Sequence, residues 1–265
     1  MEMQLDLSRM GFGITGTLDH SVVRDLAPRV EAAGFRTLWI NHGAGGDALA
    51  SMKVAADVTS SLRLASGVIP VDKMPVEDVV ASFREKQLPE DRAVIGIGAS
   101  APPSPISTAR EAAAVIRQEL GVPVFVGALG PKMRRMAVRE TNGVLLNWLT
   151  PGGVQKAMLD KEHDLQDMPG KVAEVSLYIR CALGEEALPV LKKEAGRYEG
   201  ITSYAANFER LGFSALESAV YATSGEELVA GLQPFLSSVD EPVMRAITAT
   251  DALDEYLALV DAVAL

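Results

Sequence analysis

One cysteine, three histidines and two tryptophans in 265 residues leave several chemistries short of materials. Cys181 stands alone, so no intramolecular disulfide can form, and no clustered Cys/His spacing suggests zinc. No apolar run approaches the roughly 20 residues that span a bilayer, and the start, Met1 to Arg9, is too polar for a signal peptide. A cytoplasmic protein with no membrane partner is expected. Positive charge is in deficit: a formal net charge of −10 argues against nucleic acid or an anionic membrane as the main partner. A small anion stays compatible, because helix N-termini and a few local cations can hold one.

Hydrophobic residues make up 48% of the chain, enough for one large core, and a single domain over 1–265 is expected. Short β-rich runs alternate with helical patterns from end to end. The runs are Gly11–Gly16, Thr37–Asn41, Arg63–Ile69, Ala93–Gly98, Val122–Gly127, Gly143–Trp148, Glu174–Cys181 and Val243–Thr248. Most are continuously apolar, as parallel strands buried on both faces require. Helix signals fill the gaps. Gly34 suits a C′ position, Thr108 with Glu111 and Ser224 with Glu227 have capping-box spacing, and Pro131 suits a first helical turn. Eight strands each followed by a helix predict a (β/α)₈ TIM barrel, with extra helices between the seventh and eighth strands. A doubly wound open sheet is the competing architecture. The stiff Pro102-Pro103-Ser104-Pro105 loop is expected over the barrel mouth.

In a barrel, chemistry belongs at the carboxyl ends of the strands. Those ends are rich in glycine, hydroxyls and amides and poor in acids: no carboxylate pair suggests glycosidase chemistry, and no His/Asp/Glu cluster suggests a metal. No lysine stands there as a Schiff-base candidate for an aldolase-type phosphate barrel. His42, directly after Leu38-Trp39-Ile40-Asn41, titrates near neutral pH; a proton-handling role and a loop histidine bonded to backbone are both open. His20 and His163 read as surface residues. Ser66-Gly67-Val68 breaks a β-branched strand, as a bulge does, or as a strand does where a ligand rests on bare backbone. Gly127-Ala128-Leu129-Gly130-Pro131-Lys132 has the form of a phosphate-holding turn, with Lys132, Arg134 and Arg135 as local cations or as a solvated helix face. Asn147 and Trp148 end the next strand, Trp148 as core or as mouth wall.

In the same order along the chain stand Ala33-Gly34-Phe35-Arg36-Thr37-Leu38-Trp39-Ile40-Asn41-His42, Ser61 to Pro70, Ile95-Gly96-Ile97-Gly98, Gly127 to Lys132 and Gly143 to Thr150. With these pieces the chain resembles the bacterial luciferase-like monooxygenase superfamily, specifically its deazaflavin-dependent (coenzyme F-420) and FMN-dependent oxidoreductases. The resemblance implies a flavin-type ring at the carboxyl face of the barrel, hydride transfer to or from a small organic substrate, and a homodimer. It implies His42 as the catalytic residue. Cofactor contacts would come from Asn41, Ser66, Gly67, Val68, Gly98, Gly127, Ala128, Leu129, Gly130, Asn147 and Trp148. It also implies a non-proline cis peptide within Ser66-Gly67-Val68, and a phosphate-bearing tail at the Gly127–Gly130 turn. Coenzyme F-420 is favoured over FMN, which favours dehydrogenase or reductase over monooxygenase activity. Three departures stand out. Asn41 replaces an acid, Ala99 and Ser100 replace a catalytic glutamate after Gly98, and the insertion near the seventh strand is short. A catalytically degenerate cofactor-binding barrel is the competing reading.

Overall fold

The computed structural model describes residues 5–43 and 45–264, so part of the polar start, residues 1–4, lies outside the described residues. The elements run β1 (Gly11–Ile14), α1 (His20–Ala32), β2 (Thr37–Ile40), α2 (Ala48–Ala56), β3 (Arg63–Ser66), β4 (Ile69–Pro70), α3 (Val76–Glu85), β5 (Ala93–Gly98) and α4 (Pro105–Leu120). They continue with β6 (Val124–Gly127), α5 (Pro131–Glu140), β7 (Gly143–Asn147), α6 (Pro151–Leu165), β8 (Glu174–Leu183), α7 (Leu188–Glu199), α8 (Thr202–Leu211), β9 (Val220–Ala222), α9 (Gly225–Leu236), β10 (Glu241–Ile247) and α10 (Leu253–Val263).

The strands pair in parallel in the order β10-β1-β2-β3-β5-β6-β7-β8, and β8 pairs with β10 to close the ring. This is a closed eight-stranded TIM barrel, and all eight expected strands are present. Closure leaves the barrel strands without a free edge. The excursion expected before the last strand is α7, α8, β9 and α9. Strand β9 was not anticipated. It pairs with the upper end of β8 (Cys181 to Leu183), above the stretch that β7 occupies (Glu174 to Tyr178).

The period of two sorts side chains into two cores. Trp39, Ala65, Val94, Phe125, Leu145, Tyr178 and Val243 point inward and fill the barrel. Their neighbours Leu38, Leu64, Ile95, Val124, Leu146 and Met244 point outward under the helices. Below the inner layer, Glu241 is fully buried and accepts from Trp39 Nε1 at 3.1 Å, Ser176 Oγ at 2.6 Å and Arg63 Nη2 at 3.3 Å. Arg63 also grips Glu174 through two bonds of 3.1 and 3.2 Å. This polar plug sits at the amino end, away from the mouth.

The expected third strand, Arg63–Ile69, runs as two pieces, β3 and β4, broken at Gly67-Val68, where the peptide is cis. Ladder pairing from β3 to β5 stops at Ala65 and resumes from β4 at Ile69. Ser66 bridges the gap: its Oγ accepts from Gly96 N at 2.9 Å and donates to Gly96 O at 3.1 Å. Gly34 is left-handed (φ 90°) just past α1, and Pro131 opens α5. Ser224 caps α9, its Oγ accepting from Glu227 N at 3.3 Å. The Thr108–Glu111 cap is corrected. Helix α4 begins at Pro105, so Thr108 lies inside it and bonds back to Ser104 O. Pro105 supplies a fixed φ at a position where no N–H is needed.

Candidate active site at the barrel mouth

A cleft of about 470 Å³ opens at the carboxyl ends of the strands. A hollow of about 550 Å³ also exists beside Arg117, Pro123 and Asn142, at the amino ends of β6 and β7, and gathers none of the residues expected to carry chemistry. The mouth cleft brings together residues from five separate strand ends. Asn41 and His42 follow β2, Gly67 and Val68 lie at the break after β3, and Gly98 ends β5. Gly127, Ala128, Leu129 and Gly130 form the turn after β6, and Asn147 ends β7. Pro105 reaches the wall from the proline-rich loop, as expected of a segment over the mouth.

Ser66 and Trp148 do not line the cleft. Strand parity turns Ser66 outward, since Ala65 is the inward residue of β3, whereas Trp148 lies just past β7 with a left-handed φ of 53°, which takes it out of the strand pattern. Trp148 is 1% exposed and packs with Ala195, Phe208 and Ala215. Two of the local cations, open in sequence between an anion site and a helix face, turn toward the next helix. Arg134 and Arg135 face Asp160 and Asp164 of α6, each at 3.6 Å, so they tie two helices together. His20 and His163 are exposed, as read from the sequence.

Glycines shape the floor. A Cβ on Gly98 would stand 2.7 Å from Val68 Cγ2, and one on Gly127 would stand 3.0 Å from Val68 Cγ1. Only bare backbone on both neighbours lets Val68 seat between them. A Cβ on Gly67 would run into Tyr178 Oη. Tyr178 Oη in turn donates to Gly67 O across 3.4 Å, and burial pushes its phenol well above the usual range.

The rim is built from donors. His42 is half-buried, and burial lowers its pKa against an opposing pull from Asp47. Its Nδ1 accepts from Ala48 N, the first residue of α2, at 3.5 Å. An acceptor at Nδ1 places the proton of the neutral ring on Nε2. Asn41 Oδ1 accepts from Arg245 Nε at 2.9 Å, so its amide NH2 faces away from the arginine. Asn147 Oδ1 accepts from Arg180 Nη1, so its NH2 faces Tyr204, 3.1 Å away. Arg245 and Arg180 are register partners on β10 and β8, both buried. They share one nearby carboxylate, Glu194 of α7, which accepts from Arg180 Nε at 3.1 Å. Burial raises Glu194, but Arg180 and Arg245 outweigh it and hold the carboxyl below its usual range. Asp72, the acid in the cleft wall, is engaged by Ser100 N, Ser100 Oγ and Ala101 N at 2.8–3.2 Å. Burial raises Asp72 and these bonds more than reverse the effect. Its carboxylate thus holds the loop after β5.

The sequence missed the aromatic wall. Tyr178 comes from the middle of β8, and Tyr198, Ser203 and Tyr204 come from α7 and α8. A signal for Tyr178 existed in the parity of β8. The others come from helices whose docking no local pattern reveals.

The fold is one that solved structures share. Solved structures that share the architecture are F420-dependent reductases and luciferase-like monooxygenases, as the sequence resemblance implied. Among them is an F420-dependent secondary alcohol dehydrogenase in complex with an F420-acetone adduct (TM-score 0.72, 16% identity, covering 99% of each chain). Another is the monooxygenase RslO1 from Streptomyces bottropensis (TM-score 0.71, 17% identity, 96% of this chain and 98% of that one). A curated relative, 5,10-methylenetetrahydromethanopterin reductase of Methanolobus tindarius, is 25% identical over 187 residues, or 56% of this chain and 57% of that protein. The match therefore spans little more than half the relative's length. No family model matches the chain. Among the described residues no helix is long and apolar enough to cross a membrane.

Proposed function

We propose that this chain is an oxidoreductase that holds a flavin-type ring at the barrel mouth and passes hydride between that ring and a small organic substrate. The observation that carries this is the cleft itself: a floor of Val68 seated between bare glycines, under a rim that offers hydrogen-bond donors. A flat heteroaromatic ring edged with carbonyl oxygens and nitrogens fits such a surface, and its volume suits a cofactor-sized ligand. When bound, the ring supplies two-electron hydride chemistry.

The chain's own residues position and polarise. Gly67, Val68, Gly98 and Gly127 to Gly130 form the floor and the edge toward α5, whose N-terminus is the place for a phosphate-bearing tail. With Arg134 and Arg135 turned to α6, that tail would rely on the turn's backbone and on Lys132. Asn41, its oxygen taken by Arg245, would offer its NH2 to a ring edge, a donor where the family resemblance implies an acid. His42 holds a proton on Nε2 and acts as a neutral donor beside the reacting centre. Two structural neighbours, a coenzyme F420-dependent tetrahydromethanopterin reductase and an F420-dependent secondary alcohol dehydrogenase, support a deazaflavin over FMN. That choice favours dehydrogenase or reductase over monooxygenase activity.

Fluorescence titration of the protein with coenzyme F-420 and with FMN tests the reading. Quenching that saturates with F-420 is the expected result; FMN binding in its place moves the chain to the monooxygenase side, and no binding of either removes the proposal. His42→Ala should lower turnover by about 100-fold, the scale of one positioned donor or acid–base group. Its cofactor affinity should stay within a few fold.

A further inference from the structure

One hydroxyl in the cleft wall has a proton to give. An arginine side chain only donates, so the Arg180 Nη1 contact fixes Asn147 with its oxygen toward Arg180. The Asn147 NH2 must then face Tyr204, 3.1 Å away, and the Tyr204 oxygen must accept. Its own O–H is left to point elsewhere, and among the described residues it donates to nothing. Tyr204 forms part of the cleft wall, and its ring is braced edge-on against Tyr198 at 4.7 Å. Two bonds thus run in one sense, from a buried guanidinium through an amide to a phenol, and leave the phenol O–H for a ligand in the cleft. Each donor is polarised by the one behind it. Glu194 is bound to Arg180 Nε, on the far side of the same guanidinium. Burial pushes the Tyr204 phenol up to about 12, so it remains a donor at neutral and mildly alkaline pH.

We propose that Tyr204 is the specificity-determining donor of this cleft, and that the substrate is a small ketone or aldehyde, or the matching alcohol, whose oxygen accepts the Tyr204 hydrogen bond. The inference rests on the oxidoreductase reading. Hydride arriving at a carbonyl carbon drives the π pair onto oxygen, where a donor backed by a buried cation is most useful. A substrate whose reacting carbon bears no oxygen would leave this hydroxyl unpaired on ligand binding, a cost that discriminates against it.

Soaking crystals of wild type and Tyr204→Phe in concentrated 2-butanone, with and without coenzyme F-420, tests the proposal. The expected wild-type result is a carbonyl oxygen about 2.7 Å from Tyr204 Oη. In Tyr204→Phe, NMR titration should find 2-butanone bound about five- to tenfold more weakly, with F-420 affinity unchanged within about twofold. Butanone oxygen elsewhere in the cleft, no butanone in it, or equal affinity in both proteins overturns the assignment. If wild type binds neither F-420 nor FMN, the oxidoreductase reading fails on its own, while the cofactor-free soak still decides whether Tyr204 receives a carbonyl.

Discussion

Arg180→Met should destabilise the protein by about 3–5 kcal/mol at neutral pH, read as a lower urea midpoint with little change in slope. The reason lies in what the change strands. Arg180 is 1% exposed, stacked 4.0 Å over the Trp148 ring and bonded to Glu194 and Asn147. Methionine keeps much of the volume but leaves Glu194 buried without its bonded partner. The pH dependence identifies the cause. In wild type the folded Glu194 lies below its usual range, so it contributes stability above the ordinary glutamate value, and that contribution fades as pH falls through the folded value. In the variant, burial dominates and raises the carboxyl, so stability is lost as pH climbs from the glutamate range toward neutral. The deficit should therefore be largest near pH 7 and shrink markedly near pH 4. A deficit independent of pH would assign the loss to packing against Trp148 instead.

Gly67→Ala is expected to abolish ligand binding at the mouth, with a loss of about 1–3 kcal/mol in stability from overpacking. The new methyl would meet Tyr178 Oη, with Leu145 Cδ2 at 3.0 Å behind it. Tyr178 has little room to retreat, since it is 3% exposed and its ring meets Trp39 edge-on at 6.0 Å. Adding Tyr178→Phe removes the atom in closest conflict. The double variant should recover part of both losses, giving a coupling beyond about 0.5 kcal/mol in a double-mutant cycle. Melting curves and cofactor titration on the four proteins check this. Strictly additive effects would show that the floor tolerates a methyl at residue 67.

Much of the barrel was legible because parallel strands buried on both faces read as apolar runs, and Thr37-Leu38-Trp39-Ile40 or Val124-Phe125-Val126 leave little ambiguity. His42 and Asn147 were legible for the same reason, since a polar residue ending such a run falls at the mouth. Ser66 was misplaced as a mouth residue by counting strand ends without counting parity, and Trp148, open between core and mouth wall, falls to the core because the left-handed turn after β7 carries it under α7 and α8. The basic cluster from Lys132 to Arg135 was open between anion site and helix face because its partners, Asp160 and Asp164, arrive from the next helix. Tyr198 and Tyr204 carried no signal: amphipathic spacing marks an apolar stripe, and which barrel wall that stripe meets depends on the whole excursion. Asn41 changed meaning most. In sequence it is an acid missing from a pattern, whereas in the fold Arg245 occupies its oxygen and makes it a donor.

The long β8 has an engineering consequence. Its upper end rises past β7 and carries β9, and the chain between β8 and β10 hangs from that extension. Tyr198, Ser203 and Tyr204 therefore belong to a detachable panel, while the glycine floor belongs to the permanent frame. The panel's cleft-facing positions, such as Ser203, can be varied while Glu194 stays paired with Arg180 and Leu191, Ala195 and Phe208 keep their packing, which makes this panel the place to reshape the cleft without disturbing the barrel.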